Sequence, residues 1–259
     1  VKTVSLDNMK GWSMSFDGQH VVVIGASAGI GEATARAFAA QEAAVTIVGR
    51  SKERLDQAAQ RIGHPVQVAE LDATNRDALD AFFAATSTID HLVLAASPGA
   101  VGAGPIATLD EAALRQAFDG KFFAHVKAIQ SALPRLRPDG SVTVITAASA
   151  RAAFVGTTAL AAVNGALETI IAPLAVELAP LRVNAVSPGF IDTHWWNVLP
   201  DDQRRAYFDA VAASTPVPRI GKPEDVADAI VYLAGASFIT GTVLECTGGC
   251  NLTAAAMAS

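Results

Sequence analysis

Tyrosine and cysteine are almost missing from this chain. Its 259 residues include two tyrosines, Tyr207 and Tyr232, and no lysine lies four residues beyond either. The two cysteines, Cys246 and Cys250, form a lone C-x-x-x-C with no His or Cys cluster elsewhere. That is a poor metal site, so no metal is expected and the pair reads as two reduced thiols. Charge is also sparse, at 17% of residues, with a net charge of −6 and no basic block. This argues against a nucleic-acid or anionic-membrane partner. No uninterrupted apolar run reaches the roughly 18 residues that suggest a membrane span. Val1 to Trp12 lack the apolar core of a signal peptide. Together these absences predict a cytoplasmic protein.

Apolar residues, by contrast, make up 51% of the chain, and they fall into short runs that alternate with helix-like segments. Strands are expected at His20–Ile24, Ala44–Val48, Val66–Leu71, His91–Ala95, Ser141–Thr146, Arg182–Val186 and Thr242–Cys246. Helices are expected at Gly29–Ala40, Ser51–Ile62, Asn75–Ala85, Asp110–Leu136, Thr157–Leu178 and Pro223–Ala234. Repeated βα units with short connections imply one α/β, Rossmann-type doubly wound domain: a seven-stranded parallel sheet flanked by helices. Ligands on such sheets bind beyond the carboxyl ends of the strands. The expected domain is 16–252, between an N-terminal extension (1–15) and a tail (253–259). Asp192 to Arg219 breaks the βα rhythm and carries Trp195, Trp196, Tyr207 and Phe208. An aromatic-rich insertion at the binding edge predicts a lid over 192–219. Tyr232, within Ala229-Ile-Val-Tyr-Leu-Ala, is expected in the core.

The strongest local signal is Val21-Val-Val-Ile24 running into Gly25-Ala-Ser-Ala-Gly29-Ile-Gly31 and a helix. Glycines let the backbone turn tightly and approach a pyrophosphate, and the helix N-terminus supplies free N–H groups. The G-x-x-x-G-x-G spacing resembles the short-chain dehydrogenase/reductase family. So do Leu71-Asp72, Arg182-Val-Asn-Ala-Val-Ser-Pro-Gly189, Arg219-Ile-Gly-Lys-Pro-Glu-Asp-Val226, Thr240-Gly-Thr-Val and Gly248-Gly249. The resemblance covers nearly the whole chain and implies a nicotinamide cofactor and a small-molecule substrate. It implies cofactor contacts from Gly25, Ser27, Ala28, Gly29, Ile30 and Gly31. Asp72 and Ala73 would lie near the adenine, with Ala95 and Ala96 after the fourth strand. Pro188, Gly189, Ile191 and Thr193 would line the nicotinamide. After the second strand, where an Asp would bind the ribose hydroxyls of NAD, stand Gly49-Arg50-Ser51. Arg50 can offer a planar charged fork and Ser51 a hydroxyl to a phosphate, which favours NADP(H) over NAD(H).

The resemblance fails at the chemistry. The family's Tyr-x-x-x-Lys pair is replaced by Leu160-Ala-Ala-Val-Asn164. By likeness of the neighbouring residues, Ala147 stands at the family's serine, and Thr146 and Ser149 are the nearest hydroxyls. Lys121 stands at its asparagine. Lysine and asparagine therefore look exchanged, at Lys121 and Asn164. If both face the site, they would still contact the cofactor, and Lys121, Asn164 and Ser149 become the candidate catalytic residues. His194 and Tyr207 are further candidate acids, though Tyr207 suits packing better. Three readings follow: an atypical NADP(H)-dependent oxidoreductase acting on a small apolar carbonyl, alcohol or activated alkene; a non-catalytic NADP(H)-binding sensor or partner subunit; and a non-redox enzyme on the same fold. Resemblance also implies a homotetramer or homodimer.

Overall fold

The structure is a computed structural model that describes residues 15–252; the expected tail and nearly all of the expected N-terminal extension lie outside them. Seven strands form one all-parallel sheet in the order β3-β2-β1-β4-β5-β6-β7. They are β1 (His20–Ile24), β2 (Ala44–Gly49), β3 (Val66–Glu70), β4 (Ile89–Leu94), β5 (Leu136–Ile145), β6 (Arg182–Pro188) and β7 (Val243–Cys246). The helices are α1 (Gly29–Ala39), α2 (Lys52–Ile62), α3 (Arg76–Ala85), α4 (Glu111–Ala117), α5 (Ala124–Ala132), α6 (Thr158–Glu177), α7 (Asp201–Ser214) and α8 (Pro223–Gly235).

The apolar runs form strands because both sheet faces are covered. In β1, Val21 and Val23 join a core with Phe38 of α1, Leu55 of α2 and Ile230 of α8. Val22 and Ile24 point the other way, into a core with Leu79 of α3, Ile129 of α5 and Leu167 of α6. Successive strand side chains face opposite sides, so one run feeds both layers. Side-chain caps set the helix starts. Ser51 accepts from the Arg54 N–H and Asn75 from the Ala78 N–H, which moves two expected first helical residues to cap positions.

Three expectations are corrected. The helix expected over Asp110–Leu136 is interrupted by a π-helical turn, Phe118–Phe123, and Leu136 begins β5. A Cβ on Gly120 would sit 2.9 Å from Pro98 Cβ, so glycine lets the loop after β4 press on this turn. Tyr232 is not core: it is 40% exposed on α8, while its neighbours Val231 and Leu233 are buried. Helix α6 is long and apolar enough to cross a membrane by length and composition, with a mean hydropathy of 1.7. Here it packs Leu167 and Ile171 into the core beside the sheet.

The chain turns back between β1 and β4, so the loops after β1, β4, β5 and β6 meet at one edge of the sheet.

Candidate active site

A cavity of about 750 Å³ opens at that edge. Its outer end is the glycine loop. Gly25 has φ +91°, and a Cβ there would fall 2.5 Å from the Ala96 nitrogen. A Cβ on Gly31 would fall 2.2 Å from the Gly25 carbonyl oxygen. Only glycine permits this closeness. Ala28, at the N-cap of α1, makes no side-chain cap, so the first N–H groups of α1 are left to the cavity that Ala28, Gly29, Ile30 and Gly31 line. This cradle fits a pyrophosphate.

Beside it, Arg50 and Arg54 line the same cavity. Among the described residues neither forms an ion pair. Arg54 was missed in the sequence, although it follows Arg50 by four residues. Ser27, Ser51, Asp72 and Ala73 lie outside the cavity wall. The Ser27 carbonyl accepts from Arg61 at 3.3 Å. The Asp72 carboxylate holds the Thr74 N–H and hydroxyl, both at 2.9 Å. Ala73 is buried.

The middle of the wall is the end of β6 and the turn after it. Pro188, Gly189, Ile191 and Thr193 all line it, as do Ala95 and Ala96 opposite. A Cβ on Gly189 would lie 2.8 Å from the Thr247 oxygen and 2.9 Å from Cys250 Sγ, so glycine lets the turn seat on residues 247–250. Both cysteines are free, Cys250 buried and Cys246 partly so.

At the inner end Lys121 and Asn164 meet. Lys121, on the π-helical turn, donates from Nζ to Asn164 Oδ1 at 2.7 Å and to the Thr146 carbonyl at 3.2 Å. Asn164, on α6, donates from Nδ2 to the Leu160 carbonyl at 2.8 Å and to Ser149 Oγ at 3.2 Å. Lys121, Asn164 and Ser149 line the cavity, together with the apolar Ala147 and Leu160. Burial pushes the Lys121 ammonium down to about 8, opposed by the nearby Glu168 carboxylate. Glu168 itself accepts from the Thr146 hydroxyl at 2.9 Å and from Arg151 Nε at 2.7 Å. Its spacing from Asn164, four residues on a helix, was the available sequence signal. Behind Lys121, His125 Nε2 bonds the Ala96 carbonyl at 3.0 Å. Burial and the Lys121 charge hold that imidazole down at about 3, so it stays neutral and Nε2 carries the proton.

The opposite wall comes from residues 190–207. A 3-10 turn, His194–Val198, precedes α7. Phe190 stacks on Trp196, with ring centroids 5.8 Å apart, and Trp196 packs on Tyr207 and Phe208 at 5.3 and 5.5 Å. Trp196 Nε1 donates to the Ile191 carbonyl at 2.9 Å, which anchors the stack to the end of β6. Tyr207 lines the cavity, but burial raises its phenol.

A sequence profile described as enoyl-(acyl carrier protein) reductase matches residues 25–251. The chain is 30% identical to a short-chain dehydrogenase/reductase of Stachybotrys chlorohalonatus, over 91% of this chain and 98% of that one. It is 33% identical to the cis-4-hydroxycyclohexanecarboxylate dehydrogenase of Sinomonas cyclohexanicum, over 88% and 94%. A solved small-chain dehydrogenase in complex with NADPH superposes with a TM-score of 0.78 at 29% identity, covering 91% of this chain and all of that one. With the sheet order, the glycine cradle and these likenesses together, the chain belongs to the short-chain dehydrogenase/reductase family and is an NAD(P)-dependent oxidoreductase of that type.

Proposed function

We propose that the protein is an NADP(H)-dependent oxidoreductase for a small apolar carbonyl or alcohol, or an activated alkene, and that it works with an altered catalytic set. One observation carries this reading: a single cavity joins the glycine cradle and two arginines, without ion-pair partners among the described residues, to a polar cluster walled by aromatic rings. The α1 N-terminus would hold the pyrophosphate. Arg50 and Arg54 would hold a 2′-phosphate, since two neighbouring guanidiniums favour a dianion. Pro188, Gly189, Ile191 and Thr193 would flank the nicotinamide. Bound there, the reduced cofactor supplies a hydride. The chain's own part is to seat an apolar acceptor against Phe190, Trp196 and Leu160, with residues 192–219 as a lid, and to meet its oxygen with Lys121 and Ser149. Tyr-x-x-x-Lys is absent, and the positions it would occupy are Leu160 and Asn164. The single domain is 16–252, and we infer a homo-oligomer.

NADPH and NADH titrations of protein fluorescence test the cofactor. Arg50→Ala is expected to weaken NADPH binding by tenfold or more, about 1.5–3 kcal/mol for a lost charge-assisted hydrogen bond, and to leave NADH binding alone. Loss of reduced-cofactor absorbance against a panel of aryl ketones, cyclic ketones and enones tests turnover. Tight NADPH binding with no turnover would favour the sensor or partner-subunit reading. Failure to bind either cofactor would overturn both readings.

A further inference from the structure

The three side chains at the inner end of the cavity are hydrogen-bonded in one direction. The Lys121 ammonium can only donate, so Asn164 turns its carbonyl oxygen toward it at 2.7 Å. The Asn164 NH₂ must then face the other way. There it meets the Leu160 carbonyl, which can only accept, and Ser149 Oγ at 3.2 Å. Both ends agree on the amide's orientation. Ser149 Oγ accepts in this bond, and its own O–H has no other partner among the described residues. Lys121 has three N–H groups and spends two, on Asn164 and on the Thr146 carbonyl. Lys121 and Ser149 both line the cavity. Among the described residues two donors therefore remain unspent, one amide apart, beside the apolar Ala147 and Leu160. The neighbouring hydroxyl of Thr146 is already committed to Glu168.

We propose that Lys121 and Ser149 form a two-donor oxyanion site for the hydride acceptor, that Asn164 is the positioning residue between them, and that Lys121 gives the proton. The proposal rests on the oxidoreductase reading above. For a carbonyl, the acceptor carbon gains its C–H bond with the hydride pair, at the expense of the reduced nicotinamide, which is oxidised. The carbonyl π pair moves onto oxygen, where both donors meet it. The oxygen then takes a proton from Lys121, whose N–H pair stays on nitrogen, and water from the cavity mouth recharges the amine. A group that titrates near the working pH suits general acid catalysis. Lys121, pushed down to about 8, meets that condition, and the half-buried Tyr207 phenol, pushed up, does not.

The test begins without cofactor. In protein carrying ¹³C at the lysine ε position, with the signal assigned by Lys121→Met, Lys121 is expected to titrate near pH 8. Asn164→Leu, which removes an acceptor from the ammonium, is expected to lower that midpoint further. Ser149→Ala is expected to leave it in place. Turnover is then followed with an aryl ketone that the wild type reduces. Loss of one oxyanion donor typically costs about 10²- to 10³-fold in kcat. Ser149→Ala is expected to lose about 10²-fold in kcat with the KM for NADPH unchanged. Lys121→Arg keeps the charge but cannot release a proton near neutral pH; it is expected to lose kcat and the alkaline limb of the kcat/KM profile. The proposal is overturned if Lys121 titrates like an exposed lysine and ignores Asn164→Leu, or if both Ser149→Ala and Lys121→Arg turn over within twofold of wild type. Wild-type protein that reduces none of the panel overturns the small apolar carbonyl and alkene reading and the proton step with it, while the lysine titration still judges the hydrogen-bonded arrangement.

Discussion

Lys121 carries its charge in a wall that disfavours it. Its ammonium falls from 10.5 to about 8, first through burial and against the pull of Glu168. In the unfolded chain a lysine holds its proton to about pH 10.4. Between those values the unfolded state binds a proton that the folded state has released, so stability rises with pH across that window. Below pH 8 both states are charged and the burial cost is present in full. At 1.36 kcal/mol per pH unit it reaches about 3 kcal/mol at most. Lys121→Met removes that cost but leaves Asn164 Oδ1 without its donor, worth about 1 kcal/mol. Urea unfolding at neutral pH is therefore expected to find Lys121→Met more stable than wild type by about 1–2 kcal/mol. The gap should close as pH rises to about 10.5. Equal stability at neutral pH, with no change above it, would mean that the ammonium is not buried.

At the scale of elements, the junction of β1 and α1 forms the proposed cofactor end. Gly31 has no room for a side chain, because its Cβ would meet the Gly25 carbonyl at 2.2 Å. The obstructing atom is backbone, so the loop itself must shift. Gly31→Ala is expected to weaken NADPH binding by about 100-fold or more, as a displaced loop loses several charge-assisted bonds at once. Urea unfolding on the same variant would show whether the fold survives, and unchanged NADPH affinity would overturn the placement of the pyrophosphate. This junction was legible in the sequence because strand, glycines and helix follow one another without a gap. The strands were legible because runs such as Val21–Ile24 are buried on both faces. The start of β5 was not, since Leu136-Arg-Pro-Asp-Gly140 reads as a turn and joins the sheet only through Leu136 opposite Ile89. The π-helical turn at Phe118–Phe123 was hidden too. Wider-than-α turns carry no residue-type signature of their own, and the close approach of Pro98 to Gly120 beside it is a tertiary contact. Within the site, Lys121 and Asn164 could be singled out from their neighbouring residues, and the structure brings them into contact. The direction of their hydrogen bonds was not, because it depends on Leu160, Thr146 and Ser149 closing around the amide.

For the molecule as a whole, α6 leaves apolar surface that its own fold does not cover. Its mean hydropathy is 1.7, yet only a third of it is buried. Val163, Leu167 and Ile171 pack inward, while Ala162, Thr169, Ala172 and Val176 lie exposed along the outer face. These positions recur at helical spacing, and small side chains there allow two helices to approach within the 8–10 Å of close packing. Leaving Val176 at 79% exposure forgoes burial worth about 1.5–3 kcal/mol for such a side chain. A second copy presenting the same face would cover it with matching chemistry, and a two-fold contact of this kind is self-complementary. Sedimentation velocity is expected to show a dimer or tetramer for the wild type. Ala162→Arg and Ala172→Arg together should lower the assembly state by placing like charges in the helix–helix contact. Neither side chain is part of the core in one subunit, so cofactor affinity per chain should be retained. A wild type that sediments as a monomer would show that α6 meets solvent in the native protein.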